Sequence, residues 1–249
     1  MGELQFSFRE VQDEVEALRH VAEPLVAPRS VNVLRDLGEA LRSFQSSPSN
    51  VAFDWGIAND RPLVTVNSEG EYEMGGRRGA VWLYAEITSV WRIAQVRTKL
   101  GKKARAKRFE LTGKASTRVR LRSAADDHEI AMWRMEIGDA NSPGCHFHVQ
   151  VLGELDEVPF PKAVSVPRLP AQHASAPAVI EYVLSELFQK RWDEFVGAGT
   201  QHLQRWAPIQ RERFSRLLEW QLRILRQRSL GSPWVTLKRE KPDASLFIV

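Results

Sequence analysis

The densest chemical signal in this 249-residue sequence is RTKLGKKARAKRF, residues 97–109, which carries seven lysines and arginines and no acid. Cations packed this closely concentrate a field that neutralises phosphates, through contacts that depend on salt and not on base sequence. Lys99, Lys102, Lys103, Arg105, Lys107 and Arg108 are therefore the candidate nucleic-acid contacts. Trp91 and Phe109, at the base of the run, are candidates for stacking on unpaired bases. The second signal is CHFHVQ, residues 145–150, where His146, His148 and Gln150 alternate with other residues. On a strand, that spacing sets two imidazoles side by side on one face. There they can hold a metal, with Glu136 or Asp139 as the nearest third ligand, or one can attack a substrate while the other orients it.

The nine residues 145–153 resemble the active-site strand of the histidine-triad superfamily, whose nucleotidyl-transferring branch carries His-x-His-x-Gln. The resemblance implies His148 as the nucleophile on an α-phosphate, with His146 and Gln150 as supporting donors. It makes a phosphoesterase or nucleotidyl-transfer enzyme the alternative function. Alternating histidines also satisfy the polar face of a half-buried strand, and we take that structural role as the expectation, with no metal or cofactor. No GxxxxGK[ST] loop, GxGxxG turn, HExxH helix or cysteine-rich zinc pattern occurs. The run Gly75–Gly79 reads as a glycine-rich hairpin with exposed arginines, since no helix follows to complete an anion site.

Charge is distributed unevenly. From Trp91 to Arg122 twelve lysines and arginines face one acid, Glu110, and from Thr200 to Arg239 nine face Glu212 and Glu219. With a total of only +4, the rest of the chain is strongly acidic. Such polarity points to an anionic partner. Nucleic acid is the expected one, with Arg118, Arg120 and Arg122 extending the track, and an acidic protein is the alternative. Arg211, Arg213, Arg216 and Arg223 on a C-terminal helix, with Trp220 and Trp234, are assigned to a protein partner, because Trp and Arg are enriched at interfaces.

The elements that must position these groups follow from periodicity. Val11, Val15, Leu18 and Ala22 predict a helix over 8–22, and Leu34, Leu37, Leu41 and Phe44 a second one capped by Ser30. From Val51 to Gly153 the pattern is that of strands. Val51–Ile57 and Leu63–Asn67 read as a hairpin around Asn59, Asp60 and Arg61, and Val81–Gln95 as one long, bulged strand. Thr117–Arg122, Glu129–Gly138 and Cys145–Gly153 follow, with a turn at Asp139–Gly144. A proline-rich strap spans 154–177. One helix runs from Ser175 to Phe195 and a longer one from Gln201 to Arg228, and the end, Trp234–Val249, reads either as adding a strand such as Trp234–Lys238 or as a partly loose tail. Trp55, Trp133, Trp192 and Trp206 fall within apolar periodicity and are expected in the core.

The whole predicts a single α+β domain over 1–249: an antiparallel sheet of about six strands at 51–153, with two N-terminal helices (1–48) and two C-terminal helices (178–229) packed on one face, and a tail at 230–249. Its expected role is that of a non-catalytic accessory or binding subunit. The single cysteine, Cys145, allows no internal disulfide. No apolar run approaches the roughly 20 residues of a membrane span, and the mixed-charge N-terminus does not read as a secretory signal. A cytoplasmic location is the expectation.

Overall fold

A computed structural model describes residues 4–48, 51–68, 72–73, 80–96, 107–138, 145–151, 169–172, 175–227 and 232–240. The fold is α+β, with an antiparallel sheet, as the sequence predicts. The chain enters through Gln5–Ser7 (β1) and turns directly into Phe8–Ala22 (α1), where the Ser7 side chain accepts from the Glu10 amide at 3.4 Å. Val31–Gln45 (α2) follows. Ser30 precedes this helix but caps nothing with its side chain; its hydroxyl accepts instead from the Val64 amide at 2.8 Å, which joins helix to sheet.

The spine of the sheet is a long hairpin of Leu83–Gln95 (β6) and Arg108–Ser123 (β7), whose register shifts once, between Trp91 and Ile93. Each of its outer edges carries short strands in tandem. On β6, Ala52–Trp55 (β2) pairs with 91–94 and Leu63–Val64 (β3) with 86–87. The predicted hairpin between these two strands is thus replaced: both run in the same direction along one edge, and the residues between them form a loop. On β7, β1 pairs with 108–110 and Glu129–Ile137 (β8) with 115–122. Phe147–Val151 (β9) and Leu169–Pro170 (β10) complete that side, while Tyr72–Glu73 (β4) and Ala80–Val81 (β5) pair apart from the main sheet.

Gly56 decides how the β2–β3 loop lies. A Cβ there would stand 2.0 Å from the Ser89 carbonyl oxygen, so only glycine lets the backbone approach β6 this closely. Ser89 then locks the loop, its hydroxyl accepting from the Ile57 amide and its own amide donating to the Ile57 carbonyl, each at 3.0 Å.

Four C-terminal helices are described where two are expected: Ala176–Leu187 (α3), Gln189–Gly197 (α4), Gln201–Gln227 (α5) and Pro233–Arg239 (α6). The predicted single helix over 175–195 breaks at Phe188, whose backbone leaves the helical region (φ −123°, ψ 40°). The last segment is a helix and not a strand, since Ser232 and Pro233 supply a helix start. The strap lies mostly outside the described residues, as do the Asp139–Gly144 turn and the Gly75–Gly79 run.

Leu83, Ala85, Ile87, Trp91 and Ile93 of β6 join the stripes of α1, α2, α3 and α5 in one apolar cluster. Trp55, Trp192 and Trp206 are buried in it and Trp133 packs against its side. At its centre Glu14 of α1 is fully buried. One carboxylate oxygen accepts from Ser175, the cap of α3, at 2.8 Å and from Gln210 of α5 at 2.9 Å; the other lies 3.0 Å from the Arg213 guanidinium. One side chain thereby ties three helices.

Candidate nucleic-acid interface

Lys99, Lys102, Lys103 and Arg105 lie outside the described residues, but the structure defines the base from which they leave the sheet. Gln95 pairs with Phe109, and the Val96 amide donates to the Arg108 carbonyl at 3.0 Å. These pairs close the described part of the hairpin at that end. That end is clamped to the C-terminus of α2, whose last carbonyls have no partner within the helix. Gln95 Nε2 donates to the Phe44 carbonyl at 2.6 Å and to that of Ser47 at 2.9 Å, and the Lys107 ammonium reaches the Gln45 carbonyl at 3.3 Å. A cation suits this negative helix end.

Beneath the base lies an aromatic cluster. Phe6 stacks on Phe109 with centroids 5.4 Å apart and meets Trp91 at 5.1 Å; Phe8 meets Phe109 edge-on at 5.0 Å, and Trp55 meets Trp91 edge-on at 5.6 Å. Phe109 and Trp91 are buried, so they anchor the hairpin and are closed to the bases they were expected to stack on. Lys107 is exposed and Arg108 half-exposed.

On the sheet face away from the helices, the expected track of arginines is laced with acids. Arg122 pairs with Glu86 at 3.0 Å and with Asp127 at 3.7 Å, and Arg120 lies 3.5 Å from Glu129. Arg92 pairs with Asp54 at 2.9 Å. The face expected to be basic is thus largely ion-paired, because β6 and β8 supply carboxylates beside the arginines of β7. Arg118 is held differently: it stands directly across the ladder from Arg134.

His148 is almost completely buried on this face. Its Nδ1 is 2.9 Å from the Cys145 carbonyl, which can only accept, so Nδ1 carries hydrogen. Its Nε2 faces Glu136 at 3.3 Å, directly opposite on β8. The ring is enclosed, with Nδ1 turned to the Cys145 carbonyl and Nε2 to Glu136. His146 precedes β9 and sits edge-on to Phe147, and Gln150 pairs with Arg134. Glu136, expected as a third ligand, is the partner of His148 instead, and Asp139 is outside the described residues. Among the described residues no group of three His, Cys, Asp or Glu is placed to hold a metal ion.

The hydrogen bond with His148 is the main cause holding the Glu136 carboxyl below its usual range. A depressed folded-state value means that the pair stabilises fully above the ordinary carboxylate pKa and that this is lost as pH falls through the folded value. The stability advantage over Glu136→Gln, from urea unfolding at stepped pH, is expected to be full near neutrality and to shrink below pH 4.5. An advantage constant down to about pH 3 contradicts the pairing.

Of the residues assigned to a protein partner, Trp220 is buried, edge-on to Phe147, and Arg213 is buried against Glu14. Arg216 lies 2.8 Å from Glu212 and 3.5 Å from Glu10. Both buried side chains therefore belong to the interior. Arg211, Arg223 and Trp234 are exposed. No helix among the described residues is long and apolar enough to cross a membrane. No protein-family model matches the chain, and neither curated proteins nor solved structures yield a match.

Proposed function

We propose that the chain is a non-catalytic binding module that grips nucleic acid by its phosphates, through the end of the β6–β7 hairpin. The observation that carries this reading is positional. Between Val96 and Phe109, which close the hairpin, the chain has seven cations and no acid, whereas the arginines nearer the middle of the sheet stand among carboxylates. Because the aromatics at the base are buried, binding rests on charge, without base stacking, and is indifferent to base sequence. The base supports the reading too, since Gln95 and Lys107 hold its two strands to the C-terminus of α2.

The test replaces Lys99, Lys102, Lys103, Arg105, Lys107 and Arg108 by serine and measures affinity for duplex DNA, single-stranded DNA and RNA at low salt. The expected loss is ~100-fold or more on every polymer, as phosphate contacts carry most of non-specific affinity. Undiminished binding in a variant that unfolds at the unmodified temperature contradicts the proposal. Failure of the unmodified protein to bind any of the three contradicts it as well, and leaves an acidic protein as the partner to seek.

A further inference from the structure

Of the nine large hydrophobic side chains exposed among the described residues, four belong to α5 and α6: Leu218 (41% exposed), Leu222 (50%), Trp234 (58%) and Val235 (42%). Single exposed leucines are ordinary, but the placement of these two is not. Leu217, Trp220 and Ile224 turn α5 to the core, and Leu218 and Leu222, four residues apart, stand on the side of the helix away from them. Arg211, Ser215 and Arg226 continue their line at helical spacing, and all five are exposed. The short helix α6 packs on α5 and adds Trp234 and Val235. We propose that this face docks an amphipathic helix of an acidic protein partner, which lays its apolar side on the two leucines and sets carboxylates at both ends.

The charge along the line selects the occupant. Arg211 and Arg226 stand at its two ends, about 22 Å apart along the helix axis. Neither has an ion pair or hydrogen bond among the described residues, whereas Arg205, Arg213 and Arg216 of the same helix are matched by Asp13, Glu14 and Glu10. Glu212 is taken by Arg216 at 2.8 Å, and Glu219 has Arg223 four residues on, so the ends of the line stay positive. A second copy of the chain fits badly. Laid antiparallel on the leucines, α5 sets Arg211 of one copy within one turn of Arg226 of the other, and laid parallel it sets Arg211 against Arg211, so both arrangements meet like charges. Phosphates satisfy the arginines alone, whereas an apolar centre between charged ends is the anatomy of a protein interface, where Trp and Arg are enriched. This surface belongs to the C-terminal helices and does not depend on the nucleic-acid reading of the hairpin.

Fluorescence anisotropy on the full chain tests the proposal, with a labelled synthetic helix of about 20 residues as probe, long enough to span the two arginines. The probe carries leucines four apart at its centre and glutamates at both ends of the same face. It is expected to bind with a Kd of about 100 μM or tighter. Leu218→Ser combined with Leu222→Ser is expected to weaken it ~10-fold or more at an unchanged melting temperature, since both side chains are exposed. Arg211→Glu combined with Arg226→Glu is expected to lose a similar factor on this probe and to recover it on a probe with lysines in place of the glutamates, a reversal that a loss of folding does not imitate. No saturable binding of the acidic probe up to about 1 mM, or full affinity in either double variant, overturns the proposal. A dimer in sedimentation that the two serines convert to a monomer also overturns it and assigns the face to a second copy. A loss of duplex DNA affinity in the two-glutamate variant as large as that of the variant with six hairpin serines overturns it in favour of nucleic acid.

Discussion

Arg213→Met is expected to lower the stability of this protein by ~3–5 kcal/mol, the cost of leaving a buried charge without its partner. Glu14 has no exposure to solvent, and Arg213 lies 3.0 Å from one of its oxygens. Removing the guanidinium leaves a carboxylate enclosed by three helices, with only Ser175 and Gln210 to stabilise it. For a chain of this size the loss corresponds to a fall in melting temperature of ~10 °C or more. The double variant Glu14→Leu with Arg213→Met is expected to recover much of the deficit, because apolar residues of similar volume often replace a buried pair without penalty. Thermal unfolding of the two variants distinguishes these outcomes. An Arg213→Met protein as stable as the unmodified one would show that Glu14 is held by its two neutral donors alone.

The second large effect is expected at Gly56. Alanine there places a methyl group 2.0 Å from the Ser89 carbonyl oxygen and 2.6 Å from its carbon. Both atoms belong to the backbone of the central strand β6, so no side-chain rotation relieves the clash. The loop must lift from the sheet, breaking the Ile57 bonds to Ser89, and a cost of about 3 kcal/mol, at the upper end of overpacking penalties, is expected. Urea unfolding measures the cost, and a Gly56→Ala variant within ~0.5 kcal/mol of the unmodified protein contradicts the close approach.

Local pattern made the elements legible wherever it was strong. The stripe of Val11, Val15, Leu18 and Ala22 marks α1, and the alternation through β6 separates its two faces correctly. What pattern does not carry is the identity of the neighbour. The turn residues Asn59, Asp60 and Arg61 indicate a reversal of chain, yet both flanking strands satisfy their hydrogen bonds on β6 and not on each other. Period two places Arg120 and Arg122 on the polar face, but not that Glu129 and Glu86 stand beside them from other strands. Burial of Phe109 and Trp91 has the same origin: β1, a three-residue strand too short to signal itself, brings Phe6 onto both. Residue type assigned Trp220 to a partner, whereas the packing of Phe147 against it belongs to the interior. The signal that could have found α6 was present in Ser232 and Pro233.

These neighbours move the weight of the account from a broad basic face to one end of one hairpin. The cations of the sheet are mostly matched by carboxylates, and His148 is committed to the Cys145 carbonyl and Glu136. The central claim is then that phosphates are met by the residues between Val96 and Phe109, and the salt dependence of binding tests it most directly. The affinity of the unmodified protein for duplex DNA, measured from low to physiological salt, is expected to fall linearly on logarithmic axes with a slope of about −5 if six cations engage phosphates. The six-serine variant is expected to lose most of that slope. Equal slopes for the two proteins would contradict the claim.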